Sequence, residues 1–102
     1  MVPIIESKKD ELFELCQKHH VKRLDVFGSA SVGDFTPSSD IDFVVEFDDS
    51  VGQRRFDNFF ELLDAMKKLF GRYVDLVEPG GLRNPYFIRG LEQTRRPVYV
   101  SS

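Results

Sequence analysis

The chain reads Val26-Phe27-Gly28-Ser29 and, after ten intervening residues, Asp40-Ile41-Asp42-Phe43-Val44-Val45-Glu46-Phe47. The first segment is an apolar pair that ends at a glycine. The second segment alternates at its start and is otherwise almost wholly apolar. Short apolar runs bounded by turn residues predict β-strands. We therefore expect a strand over residues 24–27, a loop over residues 28–39 and a second strand over residues 40–47.

The two aspartates of the second predicted strand are candidate metal ligands. Asp40 and Asp42 are two residues apart, so their side chains point to the same face of a strand. At strand rise their Cα atoms would lie about 6.6 Å apart. Mg²⁺ takes carboxylate oxygens and keeps several waters that substrate phosphates can replace. The pair could therefore bind one Mg²⁺ or bridge two ions, which indicates phosphoryl or nucleotidyl transfer.

Three further residues fit the same site. Asp75 lies inside an apolar strand predicted over residues 73–77, where a carboxylate is otherwise hard to justify. If that strand lies beside the second one, Asp75 would complete the metal site or accept the proton of an attacking hydroxyl. Gly28 lets the backbone come close to a phosphate, and Ser29 offers its hydroxyl and N–H to phosphate oxygens.

Helical patterns flank these strands. The first predicted helix spans residues 8–19 and follows Ser7 and Asp10, which resemble a capping box. The second is a long amphipathic helix with apolar residues at three- and four-residue steps over residues 56–70. We expect its phenylalanines to pack in the core, and we expect Gly71 to end it as a C′ glycine.

The last part of the chain predicts one more helix and one more strand. Asn84 is a candidate cap, followed by proline at the first helical position. A final edge strand is predicted over residues 98–100. Arg95 and Arg96 precede it, and we expect both to be solvated at the surface.

Composition limits the function. The chain has 102 residues, which predicts a single domain over residues 1–102. Its net charge of −3 argues against direct nucleic-acid binding, which needs clustered cations. The single cysteine, Cys16, excludes an internal disulfide, fits a reducing compartment and is expected to be buried. No membrane-length apolar stretch or signal-peptide layout is present, so we expect a cytoplasmic protein without a membrane partner.

The motifs together resemble the DNA polymerase β-like nucleotidyltransferase superfamily, and more narrowly its stand-alone minimal nucleotidyltransferases of bacteria and archaea. The resemblance covers nearly the whole chain. The segments that show it are residues 26–30, 33–35, 39–47, 74–78, 83–87 and 97–99.

The resemblance implies an α/β fold of the α+β kind, in which helices pack on a small mixed β-sheet. It implies that Asp40, Asp42 and Asp75 bind two Mg²⁺ ions and that Gly28 and Ser29 hold the triphosphate of ATP. Many family members are antitoxins paired with a HEPN-domain ribonuclease toxin, and they transfer AMP from ATP to a tyrosine of that toxin. The resemblance therefore implies a protein adenylyltransferase with a HEPN toxin as its partner.

One departure from the family pattern leaves alternatives open. Many minimal nucleotidyltransferases have an arginine where this chain has Val32, so a cation that would contact the triphosphate is missing. Arg54, Arg55 or Arg83, or a residue of the partner, could replace it. One alternative is a non-catalytic antitoxin that neutralises its partner by binding. Another is small-molecule nucleotidyl transfer, although such relatives have an additional helical domain that this chain lacks.

Overall fold

The structure is a computed structural model that describes residues 3–28 and 40–101. Its regular elements alternate along the chain. They are α1 (Pro3–Ser7), α2 (Lys9–Lys18), β1 (Val21–Phe27), β2 (Ile41–Phe47), a 3₁₀ segment (Asp49–Arg54), α3 (Arg55–Phe70), β3 (Val74–Val77), a short 3₁₀ turn (Pro79–Gly81), α4 (Pro85–Thr94) and β4 (Arg96–Val100). Within the described part of the chain, no helix is long and apolar enough to span a membrane.

The four strands form one mixed sheet in the order β3-β2-β1-β4. β1 is antiparallel to both β2 and β4, whereas β2 and β3 are parallel. The predicted fold class, a small mixed sheet with helices packed on it, is confirmed. The last strand lies at the edge, as expected, because among the strands over residues 3–28 and 40–101 it pairs with β1 alone.

The main core lies on one face of the sheet, under α1, α2 and α3. Alternate residues of the strands point into it, because successive side chains of a strand face opposite ways. α3 contributes Leu62, Met66 and Phe70 at helical spacing, all of them buried. Gly71 ends α3 with φ of +64°, so the predicted C-terminal glycine is confirmed. Cys16 is buried in this core, and burial raises the pKa of its thiol to about 12.

The opposite face of the sheet is covered by α4. Phe27, Val44 and Leu91 form a smaller buried cluster there. The side chain of Asn84 accepts hydrogen bonds from the backbone N–H groups of the first turn of α4, so the predicted cap is confirmed. Asp42 is on this face, because it alternates with the core residues of β2.

Arg95 is not solvated as predicted. Its side chain is 14% exposed, and its Nε lies 2.5 Å from Oδ2 of the fully buried Asp25. Arg23 contacts the other oxygen of the same carboxylate at 2.9 Å. A buried carboxylate is costly unless it is paired, and this requirement draws Arg95 inward. The pair ties the end of α4 to the centre of the sheet.

Other sequence predictions need correction. Ser7 donates its hydroxyl to the carbonyl of Ile4 within α1, so it does not cap α2, and the predicted capping box is wrong. The short helix α1 was not predicted. The phenylalanines of α3 do not all pack in the core, because Phe56 and Phe60 are 74% and 50% exposed.

Candidate active site

Asp42 and Asp75 are neighbours across the sheet. The parallel register of β2 and β3 places them directly opposite each other. Both point away from the main core, since Val44 and Val77, two residues further along each strand, belong to the cluster under α4. The second and third strands are therefore adjacent, which is the condition on which the predicted role of Asp75 depends, and this pairing brings two of the three predicted acids together.

Asp40 lies one residue before β2 and is exposed, so the predicted strand began one residue too early. Its charge still acts on the site. The pKa of Asp42 is raised to about 6, first because the carboxyl is partly buried and then because Asp75 and Asp40 repel its negative charge. The three carboxylates are therefore close enough to interact electrostatically, and a cation between them would reduce their mutual repulsion.

Gly28 lies beside the carboxylate of Asp42. Phe27, its neighbour, pairs with Asp42 across β1 and β2, and Gly28 turns away with φ of +70°. A Cβ atom at this position would lie 2.8 Å from Oδ2 of Asp42, which is closer than real Cβ contacts. Only glycine fits both the left-handed turn and the close approach to the carboxylate.

The turn at Gly28 is held from α4. The Gly28 N–H donates to Oγ1 of Thr94 at 3.1 Å, and this hydroxyl donates to the carbonyl of Gly90 at 2.8 Å. Sequence reasoning missed Thr94, because the two partners are 66 positions apart and no local pattern links them. The Gly28 amide is therefore already hydrogen-bonded within the protein. Its contribution to phosphate binding would be the room left by its missing side chain, not a hydrogen bond from its N–H.

Two predicted features fall outside the described residues. Ser29, the second predicted triphosphate residue, is one of them. Val32, which stands where many family members have arginine, is the other.

The arginines considered as replacements for that cation are in different surroundings. Nη2 of Arg55 lies 2.5 Å from Oε1 of Glu78, just after β3. Arg54 forms a long ion pair of 3.7 Å with Glu61. Arg83 is exposed, before α4 begins.

The carboxylates are suitable ligands for a hard divalent cation, but their side chains are not arranged around a common metal position. Over residues 3–28 and 40–101, no group of three or more His, Cys, Asp or Glu side chains is arranged to hold a metal ion. The donors themselves fit Mg²⁺, because carboxylate oxygens are its usual protein ligands. Partial burial, and after it the negative charges of Asp75 and Asp40, raise the pKa of Asp42, and such an ion would neutralise that repulsion. Gly28 keeps the space beside Oδ2 free of a side chain.

The sequence is similar to known nucleotidyl-transferring proteins. The family profile described as "Nucleotidyltransferase domain" matches residues 10–98. The chain is 34% identical over 89 residues to protein adenylyltransferase MntA of Thermococcus cleftensis, covering 85% of this chain and 82% of the relative. It is 37% identical over 79 residues to a candidate protein adenylyltransferase of Methanocaldococcus jannaschii, covering 78% of each chain.

Solved structures share the fold. A structure described as a minimal nucleotidyltransferase superposes with a TM-score of 0.74 at 28% identity, covering 91% of both chains. The MNT antitoxin bound to a tri-AMPylated HEPN toxin of Shewanella oneidensis superposes with a TM-score of 0.64. At 16% identity, over 94% of this chain and 72% of that one, the second match shows the fold alone.

Proposed function

Because this chain belongs to the nucleotidyltransferase domain family, we propose that it transfers AMP from ATP, with Mg²⁺, to a hydroxyl of a partner HEPN ribonuclease toxin. The acceptor is best taken as a tyrosine, and the modification silences the toxin, so that the chain acts as its antitoxin. The observation that supports this proposal most is the register that sets Asp42 opposite Asp75, with Gly28 against the Asp42 carboxylate.

In this proposal each site residue has a role. Asp40, Asp42 and Asp75 hold Mg²⁺ through their carboxylate oxygens. The metal, when bound, offsets the charge that builds up on the phosphates in the transition state. Gly28 leaves room for a phosphate beside the acids, and Ser29 donates to phosphate oxygens.

The transfer itself is an in-line displacement. The acceptor hydroxyl gives its proton to Asp75 while its oxygen forms a bond to the α-phosphorus of ATP. The bond from that phosphorus to the oxygen bridging the α- and β-phosphates breaks, and pyrophosphate leaves. AMP remains attached to the acceptor oxygen.

The wider setting is proposed from the relatives and from the composition. The relatives are named protein adenylyltransferases, and the S. oneidensis neighbour is an antitoxin bound to an AMP-modified toxin. The family match over residues 10–98 supports a single nucleotidyltransferase domain over residues 1–102. We place the reaction in the prokaryotic cytoplasm, with no nucleic acid or membrane as partner, because the chain is acidic and has one cysteine.

Label transfer tests the proposal. An extract of the native host that contains the HEPN protein is incubated with ATP labelled in its α-phosphate, with and without Mg²⁺. We expect a labelled protein band with the wild type, and none with Asp42→Asn or without Mg²⁺. Asp57→Asn, an exposed carboxylate change on α3, is the matched control and should label normally. Absence of label with the wild type would contradict the proposal.

A second candidate function, neutralisation by binding alone, is favoured by Val32 in place of the usual arginine. It predicts that the double variant Asp40→Ala, Asp42→Ala still protects cells from the toxin. The catalytic proposal predicts that protection is lost while the complex still forms. Toxicity and co-purification, measured on the same double variant, separate the two.

A further inference from the structure

An apolar recess lies beside the acids and shares one residue with them. We call it the α4 recess, because it lies between the end of β1 and one side of α4. Its volume is about 360 Å³. It is lined by Phe27, Gly28, Tyr86, Phe87, Gly90, Leu91 and Thr94.

The α4 recess has a buried floor and an exposed aromatic rim. Phe27 and Leu91 form the floor and are 7% and 3% exposed. Phe87 packs edge-to-face on Phe27, with ring centroids 5.9 Å apart, and is still 41% exposed. Tyr86, beside it, is 82% exposed. Two exposed aromatic side chains at the mouth of an apolar recess suit a flat ligand, which can stack on them.

Gly90 lies at the wall of the α4 recess. A glycine inside a helix is destabilising relative to alanine, so its presence there calls for a reason. A Cβ atom at Gly90 would have no atom within 4 Å, so packing does not require the glycine. Gly90 lines the recess, so a larger side chain at this position would take up space at its wall.

The position of the α4 recess relative to the acids identifies its ligand. Gly28 lines the recess and also lies beside the carboxylate of Asp42. Phosphates held at the acids bring the rest of the same nucleotide along, so its base reaches a neighbouring recess at high effective concentration. A separate acceptor side chain lacks this tether, and its hydroxyl must enter in line with the leaving pyrophosphate.

We infer that the α4 recess binds the base of the nucleoside triphosphate by stacking and apolar contact, an inference that rests on the proposed function. Its walls are almost wholly apolar. The hydroxyl of Thr94 is engaged with Gly28 and Gly90. Stacking tolerates any base, because every base has a π-face. The inference therefore includes weak selectivity, with ATP and GTP binding within about threefold of each other.

Calorimetry with three probes tests the inference. Dissociation constants are measured with Mg²⁺ for ATP, GTP and inorganic tripolyphosphate. In the wild type both nucleotides should bind about tenfold or more tightly than tripolyphosphate. Gly90→Leu adds a large side chain at the wall of the recess and suits a helix, so it should weaken the binding of ATP and GTP by about tenfold and leave that of tripolyphosphate unchanged. Gln93→Leu adds the same side chain at an exposed position of α4 and should change no constant.

A second variant keeps the test sharp if Gly90→Leu fails to fold. Tyr86→Ala removes a ring that is 82% exposed, so the fold should persist, and it should weaken ATP but not tripolyphosphate.

Three results would overturn the inference. If the wild type binds neither ATP nor tripolyphosphate, the proposed function fails with it. If tripolyphosphate binds as tightly as ATP, the base adds nothing, and only the inference fails. If Gly90→Leu binds ATP normally, the assignment of the base is wrong, and if that variant also no longer transfers AMP, the recess receives the acceptor ring.

Discussion

The left-handed turn at Gly28 lies beside the carboxylate of Asp42, and adding a single methyl group at Gly28 tests how closely the two must approach. Gly28→Ala adds a methyl group 2.8 Å from Oδ2 of Asp42 at a φ of +70°. The φ alone costs about 1 kcal/mol of stability. The displaced carboxylate should lower AMP transfer by about 100-fold. Transfer rates and urea denaturation of the same samples measure the two effects.

Gly71→Ala is the control for that experiment. Gly71 has φ of +64°, and a Cβ atom there would meet nothing within 4 Å. The change should cost a similar amount of stability, about 1 kcal/mol, and leave transfer unchanged. Equal loss of transfer in both variants would show that strain, and not the contact with Asp42, explains the Gly28 result.

Asp42 makes stability depend on pH. Its pKa is about 6 in the folded protein against an ordinary value of 3.8. The folded state therefore favours the protonated form. This contribution to stability is fully present below about pH 4 and is lost as the pH rises through about 6. Asp42→Asn removes the cost of the charge and should be more stable than the wild type at pH 7.5.

The difference in stability between Asp42→Asn and the wild type is modest, because the Asp42 carboxyl is partly exposed to solvent. After discounting for solvent screening, we expect about 1 kcal/mol, or about 4–8 °C in Tm, without metal. Melting curves of both proteins from pH 4 to 8 should converge near pH 4. A gap that stays constant across this range would contradict the raised pKa.

At the scale of elements, the buried pair of Arg95 and Asp25 fastens α4 to the sheet. Arg95→Leu would leave the fully buried Asp25 with Arg23 as its remaining ion-pair partner. We expect a loss of about 3 kcal/mol in the free energy of unfolding. Arg96→Leu, at the exposed neighbouring position, should cost less than about 0.5 kcal/mol. Chemical denaturation measures the free energy of unfolding of the two variants. Similar losses in both would show that the buried ion pair contributes no more to stability than an exposed arginine does.

The helices and strands also show which structural features local sequence patterns can predict. Features that depend on a local sequence pattern were predicted. They are the long helix, its terminal Gly71, the cap at Asn84 and the strand that contains Asp75. The capping box at Ser7 was wrong, because an unpredicted helical turn over Pro3–Ser7 uses that hydroxyl. Local signals predicted element types better than the exact residues at which elements begin.

At the scale of the whole molecule, the acid site was predictable in part. The chemistry of Asp40, Asp42 and Asp75 pointed to one site, and the parallel register of β2 and β3 places two of them side by side. The supports of the site were not predictable. Thr94 reaches Gly28 across 66 positions, and Arg95 reaches Asp25 across 70. Such pairs follow from how α4 lies on the sheet, which no local pattern encodes.

We propose that the site formed by Asp40, Asp42 and Asp75 transfers AMP to a partner toxin. The most direct measurement is the intact mass of that toxin after co-expression with the wild type, Asp42→Asn, Asp75→Asn or the control Asp57→Asn. We predict added AMP with the wild type and Asp57→Asn, and an unmodified toxin with the other two. A toxin that still gains AMP when co-expressed with Asp42→Asn, or gains none when co-expressed with the wild type, would contradict this proposal.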